Sequence, residues 1–113
     1  MPNDAIVVGF DGTVGSHAAL FAAVNLAHAT HRPVVVVHVV RIQPIVEAGT
    51  SMAAGAGAMV EAEEAQADVC RRNCADILDA TDVRWTFEVR HGKPADELAD
   101  AAAEHTASYL VVG

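Results

Sequence analysis

Two uninterrupted apolar runs constrain this chain more than anything else in it. Ala5-Ile6-Val7-Val8-Gly9-Phe10 and Val34-Val35-Val36-Val37-His38-Val39-Val40 are dominated by β-branched residues and show no polar alternation. A run of that length and type reads as a strand covered on both sides, and such strands belong to parallel sheets with a layer of helices on each face. The stretch between them, residues 12–31, has no Asp, Glu, Lys or Arg but carries three histidines, Asn25, two threonines and Ser16. That polar content argues against a membrane span and for an alanine-rich soluble helix. Ser16 is the expected N-cap, Leu20, Phe21, Val24 and Ala27 the inner face, and Pro33 the stop signal. Strand, helix and strand make a βαβ unit.

The pattern repeats downstream. Residues 41–58 contain Pro44, three glycines and many alanines without a steady period, and are expected to form a loop long enough to act as a lid. A helix is expected over residues 59–80, with Cys70, Cys74, Ile77 and Leu78 on one face at i, i+4, i+7 and i+8. Residues 83–89 alternate apolar and polar, as an edge strand wetted on one face does. Pro94 then opens a third helix, with Asp96 and Glu97 in its first turn, and residues 109–113 form a fourth strand. A single α/β domain over residues 1–113 is expected, a three-layer parallel sheet with flanking helices.

Charge narrows the function classes. Seven Lys and Arg against fifteen Asp and Glu give a net charge of −8, which repels phosphate backbones and anionic lipid, so neither nucleic acid nor a membrane is an expected partner. The opening Met1-Pro2-Asn3-Asp4 lacks the basic and apolar regions of a secretory signal, and the cytoplasm is the expected address. Cys70 and Cys74 lack C-x-x-C spacing and read as reduced core thiols. The six histidines are scattered, only His28 and His31 standing at i, i+3, and no metal site is expected.

In a parallel α/β sheet the ligand crevice lies at the carboxyl ends of the strands, where Asp11, Arg41 and Gly113 fall. Asp11-Gly12-Thr13-Val14-Gly15-Ser16 joins the first strand to the first helix and offers amides, hydroxyls and one carboxylate, a set that suits a nucleotide. Sharper motifs fail. Gly9, Gly12 and Gly15 follow G-x-x-G-x-x-G rather than G-x-G-x-x-G, and a P-loop is excluded because Lys93 is the only lysine. A phospho-accepting receiver needs an aspartate ending the third strand, where Glu88-Val89-Arg90 stands.

Ile6-Val7-Val8-Gly9-Phe10-Asp11-Gly12-Thr13, the small-residue helix, Val37-His38-Val39-Val40, Arg90-His91-Gly92-Lys93-Pro94-Ala95 and Tyr109-Leu110-Val111-Val112-Gly113 follow one another in the order and spacing of a known family. The chain resembles the universal stress proteins. That resemblance implies a flavodoxin-like or Rossmann-like fold of the adenine nucleotide alpha hydrolase type, often dimeric, with ATP bound in one branch. It places Asp11, with Gly12 and Thr13, near ribose or adenine, and the main chain of Val39, Val40 and Arg41 at adenine. Gly113 becomes the first glycine of the family's G-x2-G-x9-G-[ST] phosphate motif. The rest of that motif, a last helix and a fifth strand are absent from the sequence, so a C-terminally truncated domain is expected, with residues 109–112 pairing through their free edge. The expected function is an adenine-nucleotide-binding regulator of the stress response rather than an enzyme. The alternatives are an interaction module that binds no nucleotide, and a weak ATPase or autophosphorylating protein using Thr13 and Ser16 beside Asp11.

Overall fold

A computed structural model describes residues 4–41 and 52–113, with the backbone alone over 52–60. The elements alternate as β1 (Ile6–Gly9), α1 (Val14–Thr30), β2 (Val34–Val40), α2 (Met52–Leu78), β3 (Trp85–His91), α3 (Pro94–Glu104) and β4 (Tyr109–Val111). All strands are parallel, in the order β3-β2-β1-β4. Ile6 of β1 is held between Val34 of β2 and Tyr109 of β4, while Val34 pairs with Trp85 of β3.

The topology assigns the helices to faces. From β1 through β2 to β3 the chain steps one way across the sheet, then returns past β1 to β4. Crossovers of a single, right-handed sense therefore put α1 and α2 on one face and α3 on the other. The packing agrees. Ile6, Val8, Val34 and Val36 meet Leu20, Ala23, Val24, Cys70, Cys74 and Leu78 in one cluster, whereas Val7, Val35 and Val37 face Ala101 and Leu98 in a smaller one. The fold is thus a three-layer α/β sandwich of flavodoxin-like type, with β3 at an edge as the alternation of its residues requires. Gly9 matters for the α3 layer, because a Cβ there would lie 3.1 Å from Leu98 Cδ1.

Local readings hold or shift for identifiable reasons. The N-cap of α1 is Thr13, whose hydroxyl accepts from the Ser16 amide at 3.2 Å; Ser16, the expected cap, lies buried inside the helix. The buried stripe runs Ser16, Ala19, Leu20, Ala23, Val24, Ala27, which turns Phe21 outward at 52 % exposure. Phe21 is one residue, or about 100°, beyond Leu20 and misses the 3.6-residue stripe. The helix ends on His31 in the left-handed region (φ 58°), its amide bonded to Ala27 O, two residues before Pro33.

The second helix begins at Met52 rather than at residue 59. Four alanines between residues 53 and 58 supply the best helix propensity and outweigh Gly55 and Gly57. Seven residues of the expected lid loop are therefore helical, and residues 42–51 lie outside the described part. The third strand starts two residues later than its apolar alternation suggests, because the ladder with β2 opens at Val34 and Trp85. Cys70 and Cys74 are free thiols wholly buried in the core, and burial pushes both up, Cys74 to about 12. Among the described residues no helix is long and apolar enough to cross a membrane.

Candidate functional site

Sheet order reverses at β1, between β2 and β4, and there the helices on opposite faces diverge beyond the strand ends. A cavity of about 620 Å³ opens at this point. Its floor is Gly9 at the end of β1, Phe10 just after it, and Val37 to Val40 of β2; Asp11 and Arg41 stand at its mouth. Helix α2 supplies Ala62, Glu63 and Gln66 on one side, α3 supplies Pro94 and Leu98 on the other, and Val112 and Gly113 close the β4 side. Apolar walls with a few charged groups at the rim are what a small organic ligand needs: surface to bury and polar points to orient it.

The loop after β1 is rigidly wired. Asp11 Oδ1 accepts from the Thr13 amide at 3.0 Å and the Thr13 hydroxyl at 2.7 Å. Ser16 Oγ donates to Thr13 O at 3.0 Å and accepts from the Asp11 amide at 3.3 Å. The Thr13 hydroxyl, against partial burial and aided by the Thr13 amide, holds the Asp11 carboxyl below the usual carboxylate range. Asp11 is therefore an anion at neutral pH. Gly12 turns the chain at φ +86°, a conformation side chains disfavour, and thereby lets Asp11 fold back onto the helix start.

This wiring changes what the helix start offers. The sequence presents the start of α1 as free amides for a phosphate, yet the Thr13 and Ser16 amides already bond to Asp11 and Thr13, which leaves those of Val14 and Gly15. Gly113 packs against the same turn, where a Cβ on it would overlap Gly15 O. His17 is likewise engaged, its Nδ1 donating to Thr13 O at 3.0 Å, with its ring edge-on to Phe10 at 4.9 Å between centroids.

His38 lies under the floor at 5 % exposure, its Nδ1 3.1 Å from Phe10 O and its ring stacked on Phe87. Because a carbonyl oxygen only accepts, Nδ1 carries the proton, and His38 pins the end of β1 to β2. It is a hydrogen-bonded core residue.

Of the residues singled out from sequence, Asp11, Val39, Val40, Arg41 and Gly113 line the cavity. Gly12 and Thr13 do not; they shape the loop that carries Asp11. Sequence reasoning missed the α2 wall. Ala62, Glu63 and Gln66 lie within the helix expected from sequence, but only the packing of α2 across the strand ends brings them to the rim.

With this geometry in view, the sequence pattern of the universal stress protein family matches residues 2–113. The chain belongs to the universal stress protein family. Among solved structures, the universal stress protein UspA from Lactobacillus plantarum has a TM-score of 0.81 at 21 % identity, with 100 % of this chain and 78 % of that one covered. A universal stress protein family member from Burkholderia pseudomallei has a TM-score of 0.72 at 25 % identity, covering 98 % of this chain and 81 % of its own. A universal stress protein crystallised in complex with cAMP gives 0.66 at 21 % identity, over 95 % and 69 % of the two chains. No match is found among curated proteins.

Proposed function

We propose that this universal stress protein domain is an adenine-nucleotide-binding regulatory module of the stress response. The observation that carries the reading is the cavity at the sheet's switch point, where the ionised Asp11 carboxylate faces the main chain of Val39, Val40 and Arg41 across an apolar floor. A carboxylate accepts from ribose hydroxyls, strand-end main chain pairs with a flat base, and aliphatic walls cover its faces. The cAMP carried by a solved relative supports a ligand of this class, and ATP is the nucleotide that the sequence resemblance suggests.

Binding without turnover is the reading the wiring favours. Nucleophilic use of Thr13 needs a strong base on its hydroxyl; the Asp11 carboxylate accepts from that hydroxyl, but with its pKa held down it is a weak base, and the His17 ring nitrogen bonds to the Thr13 carbonyl instead. We place the module in the cytoplasm, as a dimer or with a second chain along β4. Tyr109 and Leu110 there are 44 % and 43 % exposed and Val112 61 %, an apolar edge that also favours the second reading, a protein-interaction module.

Calorimetric titration of the protein with adenosine, cAMP and ATP tests the primary reading. Asp11→Ala is expected to weaken binding at least about tenfold, the value of roughly one charge-assisted hydrogen bond. Unchanged affinity would overturn the assignment of Asp11, and absence of any adenine ligand would shift the function to protein contacts.

A further inference from the structure

The cavity wall opposite α2 has little apolar surface to hold it in place. Helix α3 brings Pro94 and Leu98 to that wall, and a Cβ on Gly9 would lie 3.1 Å from Leu98 Cδ1, so Leu98 rests directly on the end of β1. Yet five of the eleven residues of α3 are alanines, Leu98 is its one large aliphatic side chain, and Ala101 is its one buried residue. A helix that buries so little is docked weakly by the hydrophobic effect. The wall on which a ligand leans needs another fastening.

That fastening comes from the segment Arg90-His91-Gly92-Lys93-Pro94, of which only Pro94 lines the cavity. Arg90 stands near the end of β3, paired in register with the lining residue Val39. Its guanidinium donates through Nε to Glu97 Oε1, one residue before Leu98, and through Nη1 and Nη2 to both oxygens of Glu104 in the last turn of α3. Glu88 accepts from Nη1 as well, and its other oxygen meets His105 Nε2 at the helix end. The Glu97 side chain passes over Gly92, which sits at φ +145° and where a Cβ would lie 2.9 Å from Glu97 Oε2. A planar fork shared among three carboxylates fixes direction as well as distance, which a point charge does not. Both ends of α3 are thereby tied to the strand beside the one that floors the cavity.

We infer that Arg90 is a positioning residue for the cavity: from outside the wall it sets how closely Pro94 and Leu98 stand over the floor, so that ligand affinity depends on a guanidinium the ligand does not touch. The inference rests on the adenine-nucleotide reading and names what holds that site to shape. Removing the guanidinium leaves Glu88, Glu97 and Glu104 facing one another, and their repulsion pushes α3 off β3 rather than merely releasing it. A dispersion contact that opens by about 0.5–1 Å loses about a quarter to a half of its strength. A wall displaced by that much weakens all its contacts with a flat base at once. The loss falls on the dissociation rate, because a loosened site still admits its ligand.

The test compares adenosine binding and dissociation rates, together with amide hydrogen exchange, for the natural sequence, Arg90→Met, Arg90→Lys and Val24→Ala. Val24 is buried on α1 against the other face of the sheet and lies outside the cavity wall, so its truncation lowers stability without touching α3. Arg90→Met is expected to weaken adenosine binding about three- to tenfold, chiefly through faster dissociation, and to speed exchange of the α3 amides while those of α1 hold. Arg90→Lys, which restores the charge without the fork, should recover part of both, and Val24→Ala should bind as the natural protein does. Natural affinity in Arg90→Met, unchanged α3 exchange in it, or an equal loss of binding in Val24→Ala overturns the inference while the nucleotide reading stands. Failure of adenosine to bind the natural protein overturns that reading and the role of Arg90 in binding with it, and the exchange rates then still decide whether Arg90 holds α3.

Discussion

The two faces of the sheet hold their helices by different physics. Under α1 and α2 the contacts are aliphatic and thiol groups sealed from water: Leu20, Leu78, Cys70 and Cys74 have no exposed surface. Under α3 the apolar patch is small, and the helix is fastened at its flank by charge. Arg90, at 16 % side-chain exposure, meets Glu97 Oε1 at 3.0 Å, Glu88 Oε2 at 2.8 Å and Glu104 Oε2 at 2.9 Å, and His105 Nε2 joins Glu88 Oε1 at 2.9 Å. A single guanidinium thus ties β3 to both ends of α3. Burial without charge is indifferent to pH and salt, whereas a half-exposed ion network answers to both, so the α3 layer is the one that solution conditions loosen first.

The largest effect should come from the sealed face. Leu78→Ala leaves a void under α2 and is expected to cost about 2–5 kcal/mol by urea denaturation, with little dependence on pH between 5 and 8 or on salt. A loss below about 1 kcal/mol would show that α2 is only loosely docked.

Next comes Arg90→Met, which keeps the stem and removes the charge. Burial raises the Glu88 carboxyl, but hydrogen bonds from Arg90 and His105 outweigh it and hold it below the carboxylate value of 4.5. Hydrogen bonding from Arg90 lowers Glu104 as well. A carboxyl with a depressed folded-state pKa stabilises the fold above its unfolded pKa and loses that contribution as pH falls through the folded value. The natural protein should therefore weaken as pH drops below about 5. The substitution should remove roughly 1 kcal/mol at pH 7 and much less at pH 3, since the network is dismantled there in both proteins. A difference that persists at pH 3 would mean that Arg90 acts through packing of its stem.

The smallest effect concerns the start of α3, where Asp96 sits in the first turn behind Pro94. Asp96→Asn should cost about 0.3–1 kcal/mol at low salt and nothing measurable at 1 M, the signature of a helix-dipole interaction. Equal costs at both salt concentrations would locate the effect elsewhere.

How much of this was readable from the chain follows the same division. The sealed face is written in local pattern: the valine runs of β1 and β2 and the i, i+4, i+8 spacing of Cys70, Cys74 and Leu78 each declare burial without reference to anything distant. The charged face is not, because Arg90 reaches partners two, seven and fourteen residues away on two elements, and no periodicity announces them. Phe21 misleads for a related reason, since an aromatic one step off a helical stripe looks apolar enough to belong to it. At the cavity, positions fixed by strand ends, Asp11 and Val39 to Arg41, could be placed in advance. Glu63 and Gln66 could not, because their place in the wall depends on how α2 crosses the strand ends. The capping of the α1 start depends on a side chain folding back, a three-dimensional fact that a string of small residues leaves open.

One consequence of the strand order concerns how the molecule is made. β1 leaves the ribosome ahead of β2, β3 and β4, yet it occupies the interior of the sheet, and its neighbour on one side is β4, with Val8 opposite Val111 and the Ser108 amide on Ala5 O. Arg32 and Ser108 both reach Asp4, so the segments leading into β1, β2 and β4 are stitched together at the entry to β1. Until β4 emerges, β1 can pair on one side only, and its second rank of backbone groups stays wet. The nascent chain can assemble β1, α1 and β2 early, but β1 gains its second partner only with β4, and closing that long loop is the step that should set the pace of folding.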